Sequence, residues 1–208
     1  MIRLWGRKTS SNVMKVLHVL DELGLKYERI DVGGAFGGTT TPEYRAMQPL
    51  GLVPALEEDG FTLFESNAIM RYLCRAHASN SALYPRDPKA AGPVDAWMDF
   101  QQTALNGPVG VFFLGLVRTP AEKRDNAAIA AAIMQAQALY GLIDAELARH
   151  DWITGDHFTI ADVAYGPQVH RWFVLDLPGR VELPNLRRWY ERMKLRPAYV
   201  AHCTAPPV

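Results

Sequence analysis

Residues 50–73 read LGLVPALEEDGFTLFESNAIMRYL and combine several local structure signals in one short stretch. Two short apolar runs flank an Asp-Gly pair at 59–60, which tolerates the positive φ angles of a type I′ hairpin turn. Ser66 then stands where a helical spacing of apolar residues begins, as expected of a helix start. Pro54 cannot donate to a β-ladder, so it belongs at a sheet edge or at a strand's first residue. The stretch therefore predicts strand, tight turn, strand and helix, with the backbone of Val53 left unpaired.

The residues before this stretch predict a β-α-β unit. Residues 2–5 alternate as a strand does, apolar residues recur at helical spacing over 12–23, and residues 27–32 resemble a second strand. Two strands joined by one helix favour a parallel pair with a right-handed crossover. A glycine-rich loop and a short helix follow, so residues 1–78 are expected to form a β-α-β-α-β-β-α domain.

The rest of the chain is predicted to be helical, which makes the fold class α+β. Residues 79–88 are small, polar and proline-bearing, as in a linker, and residues 89–208 form the all-helical domain. Helix starts are predicted at Asp87, Thr119, Thr159 and Pro184. We expect Gly107-Pro108 to interrupt the first of these helices, the second to run to about Arg149, and the last to be the final helix. Asp162 is expected to reach back and cap the third.

Composition argues against several classes of function. The 208 residues carry 22 basic and 22 acidic side chains, so no electrostatic footprint for nucleic acid or an anionic membrane is present. We see no apolar run near the ~20 residues of a spanning helix and no signal-peptide core, which favours the cytoplasm. Cys74 and Cys203 form neither a C-x-x-C pair nor a metal-ligand spacing with histidine, so we expect no metal.

The order of motifs V-P-x-L, D-G and E-S-N-A-I over residues 53–69 resembles the glutathione-binding half of the glutathione S-transferases. G-D-H-F-T-I-A-D-V-A at 155–164 and P-N-L-R-R-W-Y-E-R-M at 184–193 are similar to helices of their C-terminal domain. The resemblance covers roughly residues 2–200 and is to the bacterial theta-, beta- or nu-like cytosolic types. It implies a thioredoxin-like domain over residues 1–78, a helical domain after it, and a homodimer.

The resemblance also implies which residues bind glutathione. Val53, before a cis Pro54, would offer backbone hydrogen bonds to the cysteinyl part of glutathione. Glu65 would hold the γ-glutamyl ammonium, and Ser66 at a helix start would hold the γ-glutamyl carboxylate. Asp99 would reach the γ-glutamyl group of the partner subunit in a dimer, although a solvated helix face explains it equally well.

One position departs from the family pattern. Leu52 stands where many members carry a lysine that contacts the glycine carboxylate of glutathione. Leucine cannot make that contact, so Gln48, Thr39 or Thr40 is expected to compensate. The alternative is a modest affinity for glutathione.

The reactive form of glutathione is its thiolate, and a free thiol has a pKa of about 8.5. Lowering this pKa by about two units requires about 2.7 kcal/mol. A hydroxyl hydrogen bond to the anion supplies roughly 1.5–3 kcal/mol, and a helix N-terminus about 0.3–1 kcal/mol. Ser10, Ser11 and Asn12 stand at the start of the first predicted helix. Branches of the family place the hydroxyl at either serine, and an ordinary N-cap is the other explanation.

The electrophile pocket is expected between the two domains. Its candidate aromatic residues are Phe36, Phe112, Phe113, Tyr165 and Trp172. The first functional hypothesis is conjugation of glutathione to small hydrophobic electrophiles. The second is a glutathione-dependent disulfide or peroxide reductase without a catalytic cysteine, and the third is a non-catalytic ligand-binding protein of the same fold.

Overall fold

The computed structural model describes residues 1–78 and 82–206. The N-terminal domain contains one four-stranded sheet. Its strands are β1 (Ile2–Trp5), β2 (Tyr27–Ile30), β3 (Ala55–Glu58) and β4 (Phe61–Phe64). They lie in the order β2-β1-β3-β4, with β1 and β2 parallel and the other two pairs antiparallel. The predicted hairpin and parallel crossover are confirmed.

The turn between β3 and β4 has the geometry that its sequence predicts. Asp59 and Gly60 have φ angles of 49° and 86°, both positive as a type I′ turn requires. The peptide bond between Val53 and Pro54 is cis and directly precedes β3. Because β1 pairs with β3 only as far as Ala55, Val53 lies beyond the ladder. Among the described residues, its backbone has no backbone hydrogen-bond partner.

Three helices complete the N-terminal domain: α1 (Ser11–Glu22), α2 (Pro42–Met47) and α3 (Ser66–His77). The apolar stripe predicted for α1 is buried and packs against the buried face of α3. The two helices therefore lie side by side. Both begin at the end of the sheet where Val53 precedes β3.

The second domain is helical. Its helices are α4 (Pro88–Phe100), α5 (Asn106–Phe113), α6 (Asn126–Leu147), α7 (Ile160–Val174), α8 (Pro184–Met193) and α9 (Pro197–Cys203). Part of the predicted linker, residues 79–81, lies outside the described residues. Helices α7 and α9 pack against α1, and one hydrophobic core continues from the sheet into the helical domain. The two domains therefore share one continuous hydrophobic core.

Gly107-Pro108 does not interrupt the helix, so that prediction is wrong. A π-helical segment, Gln101–Leu105, connects α4 to α5, and a second one, Leu114–Arg118, follows α5. A π segment changes the hydrogen-bond register of a helix. The chain can thus accommodate the missing amide of Pro108 and remain helical.

Two further helix boundaries differ from the prediction. Helix α6 begins at Asn126 because the Asp125 carboxylate accepts a 2.9 Å hydrogen bond from the Ala128 amide. The hydroxyl of Thr119, the predicted cap, instead donates to the carbonyl of Leu114 at 3.1 Å. Helix α8 is not the last helix, since Pro197 is the first residue of a further helix, α9. Proline is tolerated there because the first amide of a helix has no intrahelical acceptor.

Helix α6 is more apolar than the sequence analysis allowed. By length and composition alone it could span a membrane, the only described helix of which this is true. Its residues Ile133, Ala136, Tyr140 and Ile143 are buried, and it packs against α5 and α8. The buried residues make up 33% of its most apolar 18-residue window, so one face of the helix packs on the core and the other is exposed.

Candidate active site

The first part of the site is the start of α1. Ser10 occupies the N-cap position with an extended backbone, yet its hydroxyl makes no capping hydrogen bond. Its side chain is mostly buried, and Ser11 follows as the first residue of the helix. The first amides of any helix lack intrahelical acceptors and carry a partial positive charge. An ordinary cap therefore does not account for the Ser10 hydroxyl, which is available to a ligand.

The second part is the cis-proline turn, which Gly6 brings close to α1. A Cβ atom at Gly6 would lie 2.5 Å from Cγ2 of Val13 and 3.3 Å from Cβ of Val53. Only a residue without a side chain permits this approach. The unpaired backbone of Val53 therefore lies beside the N-terminal turn of α1.

The third part is the start of α3. Glu65 has a φ of 69°, a left-handed conformation that costs a non-glycine residue about 1–3 kcal/mol and often marks a ligand site. Among the described residues its carboxylate makes no hydrogen bond or ion pair. The Ser66 hydroxyl donates to Oδ1 of Asn12 at 3.4 Å, which joins the starts of α3 and α1. Two helix N-termini thus converge beside the proline turn.

A buried lysine connects the elements that carry the site. Lys15 donates to Oδ1 of Asn67 at 3.2 Å and to Oε1 of Gln101 at 3.3 Å, linking α1, α3 and the segment after α4. Burial lowers the pKa of Lys15 to about 7, although the nearby charge of Glu65 acts in the opposite direction. The sequence did not predict Lys15 as a site residue, because a lysine in an amphipathic helix is ordinarily solvated.

We expect the contribution of Lys15 to the free energy of unfolding to rise with pH. An amine whose pKa falls on folding binds more protons in the unfolded chain, so stability increases as pH rises above the folded-state value. With a folded-state pKa of about 7, the gain between pH 7 and pH 9 is about 2 kcal/mol. The measurement is the difference in unfolding free energy between wild type and Lys15→Met at both pH values.

Taking this difference removes other groups that titrate in the same range. Burial raises the pKa of Cys74 and of Cys203, which lowers stability as pH rises, but both thiols are present in both proteins. Lys26→Met, at an exposed position, is the matched control and should differ from wild type equally at pH 7 and pH 9. An equally constant difference for Lys15→Met would show that the amine keeps an ordinary pKa.

A cleft of about 200 Å³ opens between the start of α1 and the helical domain, and Ser10 and Ser11 both line it. Of the predicted pocket aromatics only Phe113 lines this cleft. Phe112, Tyr165 and Trp172 are fully buried in the helical core, where Phe112 and Trp172 pack together. Phe36 is mostly exposed in a short 3₁₀ turn, Gly34–Phe36, outside the cleft. Three of the five aromatic candidates therefore belong to the hydrophobic core and do not line the cleft.

Gln48 and Thr39, two of the residues expected to compensate for Leu52, lie on the loops before Val53. The buried side chain of Gln48 accepts a 2.7 Å hydrogen bond from the Leu50 amide, so it shapes its own loop. The side chain of Leu52 is exposed, while its carbonyl accepts a hydrogen bond from the Tyr44 hydroxyl at 2.6 Å. Thr39 lies between the glycine-rich loop and the turn before Val53.

Asp99 lies on an exposed face of α4 and pairs with Arg71 at 3.2 Å. That ion pair is the solvated alternative considered for it from the sequence. Among the described residues, no group of three or more His, Cys, Asp or Glu side chains could hold a metal ion.

Three arginines of the cleft were not anticipated from the sequence. Arg7 follows β1, Arg118 ends the π segment after α5, and Arg171 lies on α7. They are far apart along the chain and share no motif. Only the packing of α5 and α7 over the start of α1 brings them together.

Fold and site together define a glutathione S-transferase. The family profile for the glutathione S-transferase N-terminal domain matches residues 1–75, and that for the C-terminal domain matches residues 126–192. The chain belongs to this family, which confirms the resemblance of its motifs.

Among curated proteins, the chain is 43% identical to glutathione S-transferase GstB of Escherichia coli over 200 residues, 95% of each chain. It is 30% identical to glutathione S-transferase 3 of Zea mays over 213 residues, with 100% and 95% covered. Among solved structures, a theta-class glutathione S-transferase of Xanthomonas axonopodis pv. citri with glutathione bound superposes with a TM-score of 0.93. It has 43% identity and covers 100% of this chain and 99% of its own.

Proposed function

We propose that this enzyme binds glutathione across the three segments of the site, stabilises its thiolate and transfers it to a small electrophile in the adjoining cleft. Glutathione transferase activity is the function of the family. The serine and the electrophile are the parts proposed here. The observation that carries the proposal is the Ser10 hydroxyl, which lies at a helix start, makes no capping bond and borders the cleft.

In this proposal each segment holds one part of glutathione. The backbone of Val53 pairs with the cysteinyl peptide groups, which places the sulfur over the start of α1. The amide of Ser66 and the first turn of α3 receive the γ-glutamyl carboxylate, and Glu65 receives the ammonium. The left-handed conformation of Glu65 supports this role, since strain of that kind is retained where a ligand needs the geometry.

The Ser10 hydroxyl then acts as a hydrogen-bond donor to the sulfur. Its contribution of roughly 1.5–3 kcal/mol, with about 0.3–1 kcal/mol from the helix N-terminus, spans the about 2.7 kcal/mol that a two-unit fall in pKa requires. No general base is required, because a thiol with a pKa near 6.5 is mostly ionised at neutral pH. Holding the thiolate and the electrophile side by side supplies the remaining acceleration.

The decisive experiment is an ultraviolet titration of the glutathione thiolate bound to the enzyme across pH. We expect the bound thiol to ionise about two pH units below free glutathione, whose thiol pKa is about 8.5. Free glutathione in the same buffers is the control. Tight binding with an unshifted thiol would contradict the mechanism, and absence of binding would favour the non-catalytic alternative.

A homodimer in the cytoplasm, typical of the family, is part of the proposal. The exposed apolar side chains of Leu50, Leu52 and Phe61 in the N-terminal domain are consistent with a subunit contact. Sedimentation should give twice the 23.2 kDa monomer mass. A monomer at micromolar concentration would contradict it.

A further inference from the structure

The cleft beside Ser10 is basic although the chain as a whole is neutral. Arg7, Arg118 and Arg171 line it together, and its described lining includes no Asp or Glu. The Cζ atoms of Arg171 and Arg118 lie 3.7 Å and 5.8 Å from the ring centroid of Phe113. Both guanidinium groups are therefore held over one aromatic ring, on the wall of the cleft.

The charges of Arg7 and Arg171 are not paired with a carboxylate within the described parts of the chain. Among those residues the guanidinium groups of Arg7 and Arg171 form no ion pair and no hydrogen bond. Other arginines behave differently: Arg71 pairs with two aspartates, and Arg196 pairs with Glu22 at 2.5 Å. The contrast indicates that Arg7 and Arg171 face a ligand.

Gathering like charges in a partly buried cleft is unfavourable without an anion. Burial lowers the pKa of Arg7, and the charge of Arg118 lowers it further. Burial lowers the pKa of Arg171 to about 10, and the charges of Arg118 and Arg7 act in the same direction. Both effects express a cost of keeping these cations together, which a bound anion relieves.

We propose that the electrophile of this enzyme carries a carboxylate, which the arginines of the cleft bind while its reactive carbon faces the sulfur of glutathione. The inference rests on the proposed function, because it names the class of electrophile for the same site. It narrows the expectation of small hydrophobic electrophiles to those that also carry a carboxylate. A guanidinium group suits the role because its fork of N–H donors matches the two carboxylate oxygens.

A substitution on an aromatic acid shows the chemistry. In 4-chloro-3-nitrobenzoate the thiolate forms a sulfur–carbon bond at the chlorinated ring carbon, and the carbon–chlorine bond breaks. Chloride leaves with the bonding electron pair, and the thiol proton has passed to solvent on ionisation. The carboxylate is unchanged throughout and remains on the arginines, while the ring is of a kind that packs against Phe113.

Arg7 has a second conceivable partner. Its guanidinium nitrogen lies 3.1 Å from where a Cβ of Gly33 would stand, so it borders the glycine-rich loop. From there it could instead hold the glycine carboxylate of glutathione, which Leu52 cannot contact. The experiment must separate these two carboxylates.

The first arm compares kcat/KM for 4-chloro-3-nitrobenzoate with that for the neutral 4-chloro-3-nitrobenzamide, each divided by its uncatalysed rate with glutathione. We expect wild type to prefer the carboxylate by about tenfold or more, the worth of one charge-assisted hydrogen bond. Arg7→Met and Arg118→Met should bring the ratio towards one. Arg171→Lys keeps a charge at the least exposed position and should give an intermediate ratio. Arg149→Met, which removes an exposed arginine at the end of α6, should leave it unchanged.

The second arm needs no catalysis. Calorimetry compares binding of 3-nitrobenzoate and 3-nitrobenzamide to the enzyme in the presence of S-methylglutathione. A preference for 3-nitrobenzoate that is lost in Arg7→Met supports the inference. This holds even if neither chloronitro compound of the first arm is conjugated, and in that case only the proposed function fails. Equal binding of acid and amide overturns it. It is also overturned if the arginine variants weaken only glutathione binding and retain the preference, since the arginines would then hold the glycine carboxylate.

Discussion

Replacing Ser10 by alanine is expected to lower the rate of conjugation at saturating glutathione and pH 7 by about 3- to 25-fold. The lost hydrogen bond to the thiolate contributes roughly 1.5–3 kcal/mol, and from a bound pKa near 6.5 this loss lowers the ionised fraction of the thiol at pH 7 by that factor. The pKa of the bound thiol should rise by between one and two units for the same reason. Initial rates and the ultraviolet titration of bound thiolate measure the two effects on the same preparations.

The pH profile distinguishes loss of the hydroxyl from structural damage. Above about pH 9 the thiol is ionised in both proteins, because even a free thiol has a pKa of about 8.5, so the rates of wild type and Ser10→Ala should converge. A distorted site would remain slow at every pH. Binding of S-methylglutathione, which has no ionisable thiol, should be nearly equal in the two proteins.

Ser11→Ala is the matched control, since Ser11 lines the same cleft one residue further along. We expect its rate to remain within about threefold of wild type, as for a side chain with no contact to the sulfur. If Ser11→Ala raises the thiol pKa and Ser10→Ala does not, Ser11 is the donor. If neither variant changes the pKa, the amides of α1 stabilise the thiolate and the serine mechanism is wrong.

The N-terminal domain was predictable because its signals are local. The Asp-Gly pair at 59–60 sets the hairpin turn, and Ser66 marks the start of α3 to the residue. Such patterns act within a few residues, so neighbours in sequence are sufficient to interpret them. The positive φ of Glu65 was not predictable, because it depends on the strand and helix that meet there.

The wall of the cleft was harder to predict because two π-helical segments enclose α5. Each extra residue in a turn rotates the following helix face by about 100°. Spacing alone therefore cannot tell which of two adjacent phenylalanines faces the ligand. In the structure Phe112 packs in the core against Trp172, and Phe113 lines the cleft beside the arginines.

Asp162 is expected to be the residue whose loss most destabilises the helical domain. Its Oδ1 accepts hydrogen bonds from the Ile153 amide at 3.0 Å and from Nε1 of Trp189 at 2.8 Å. Its Oδ2 accepts one from the Thr159 amide at 2.9 Å and completes the capping box predicted for α7. One buried carboxylate thus joins the loop before α7, the start of α7 and helix α8.

Asp162→Ala should lower the free energy of unfolding by about 3–4 kcal/mol at pH 7. Three buried donors lose their acceptor, at about 2 kcal/mol each, while the Thr159 hydroxyl, 3.4 Å from Oδ2, retains its contact with the Thr154 hydroxyl. A second effect acts in the opposite direction. Burial raises the pKa of Asp162 to about 6, which means that the buried charge destabilises the folded protein by about 3 kcal/mol at pH 7. The substitution removes this destabilising charge. The orphaned donors outweigh that relief. Urea denaturation measures the difference, and Asp125→Ala, which removes the exposed cap of α6, should cost only about 1 kcal/mol.

The pH dependence and a second substitution test this explanation. A carboxyl whose pKa rises on folding stabilises the protein most at low pH, and that contribution is lost as pH rises through the folded-state value near 6. The deficit of Asp162→Ala should therefore be about 1 kcal/mol larger at pH 5 than at pH 7. In a Trp189→Phe background one donor is already absent, so Asp162→Ala should cost less there than in wild type. Equal costs in both backgrounds would mean that the indole bond contributes nothing, and that the bonds from Ile153 and Thr159 explain the loss.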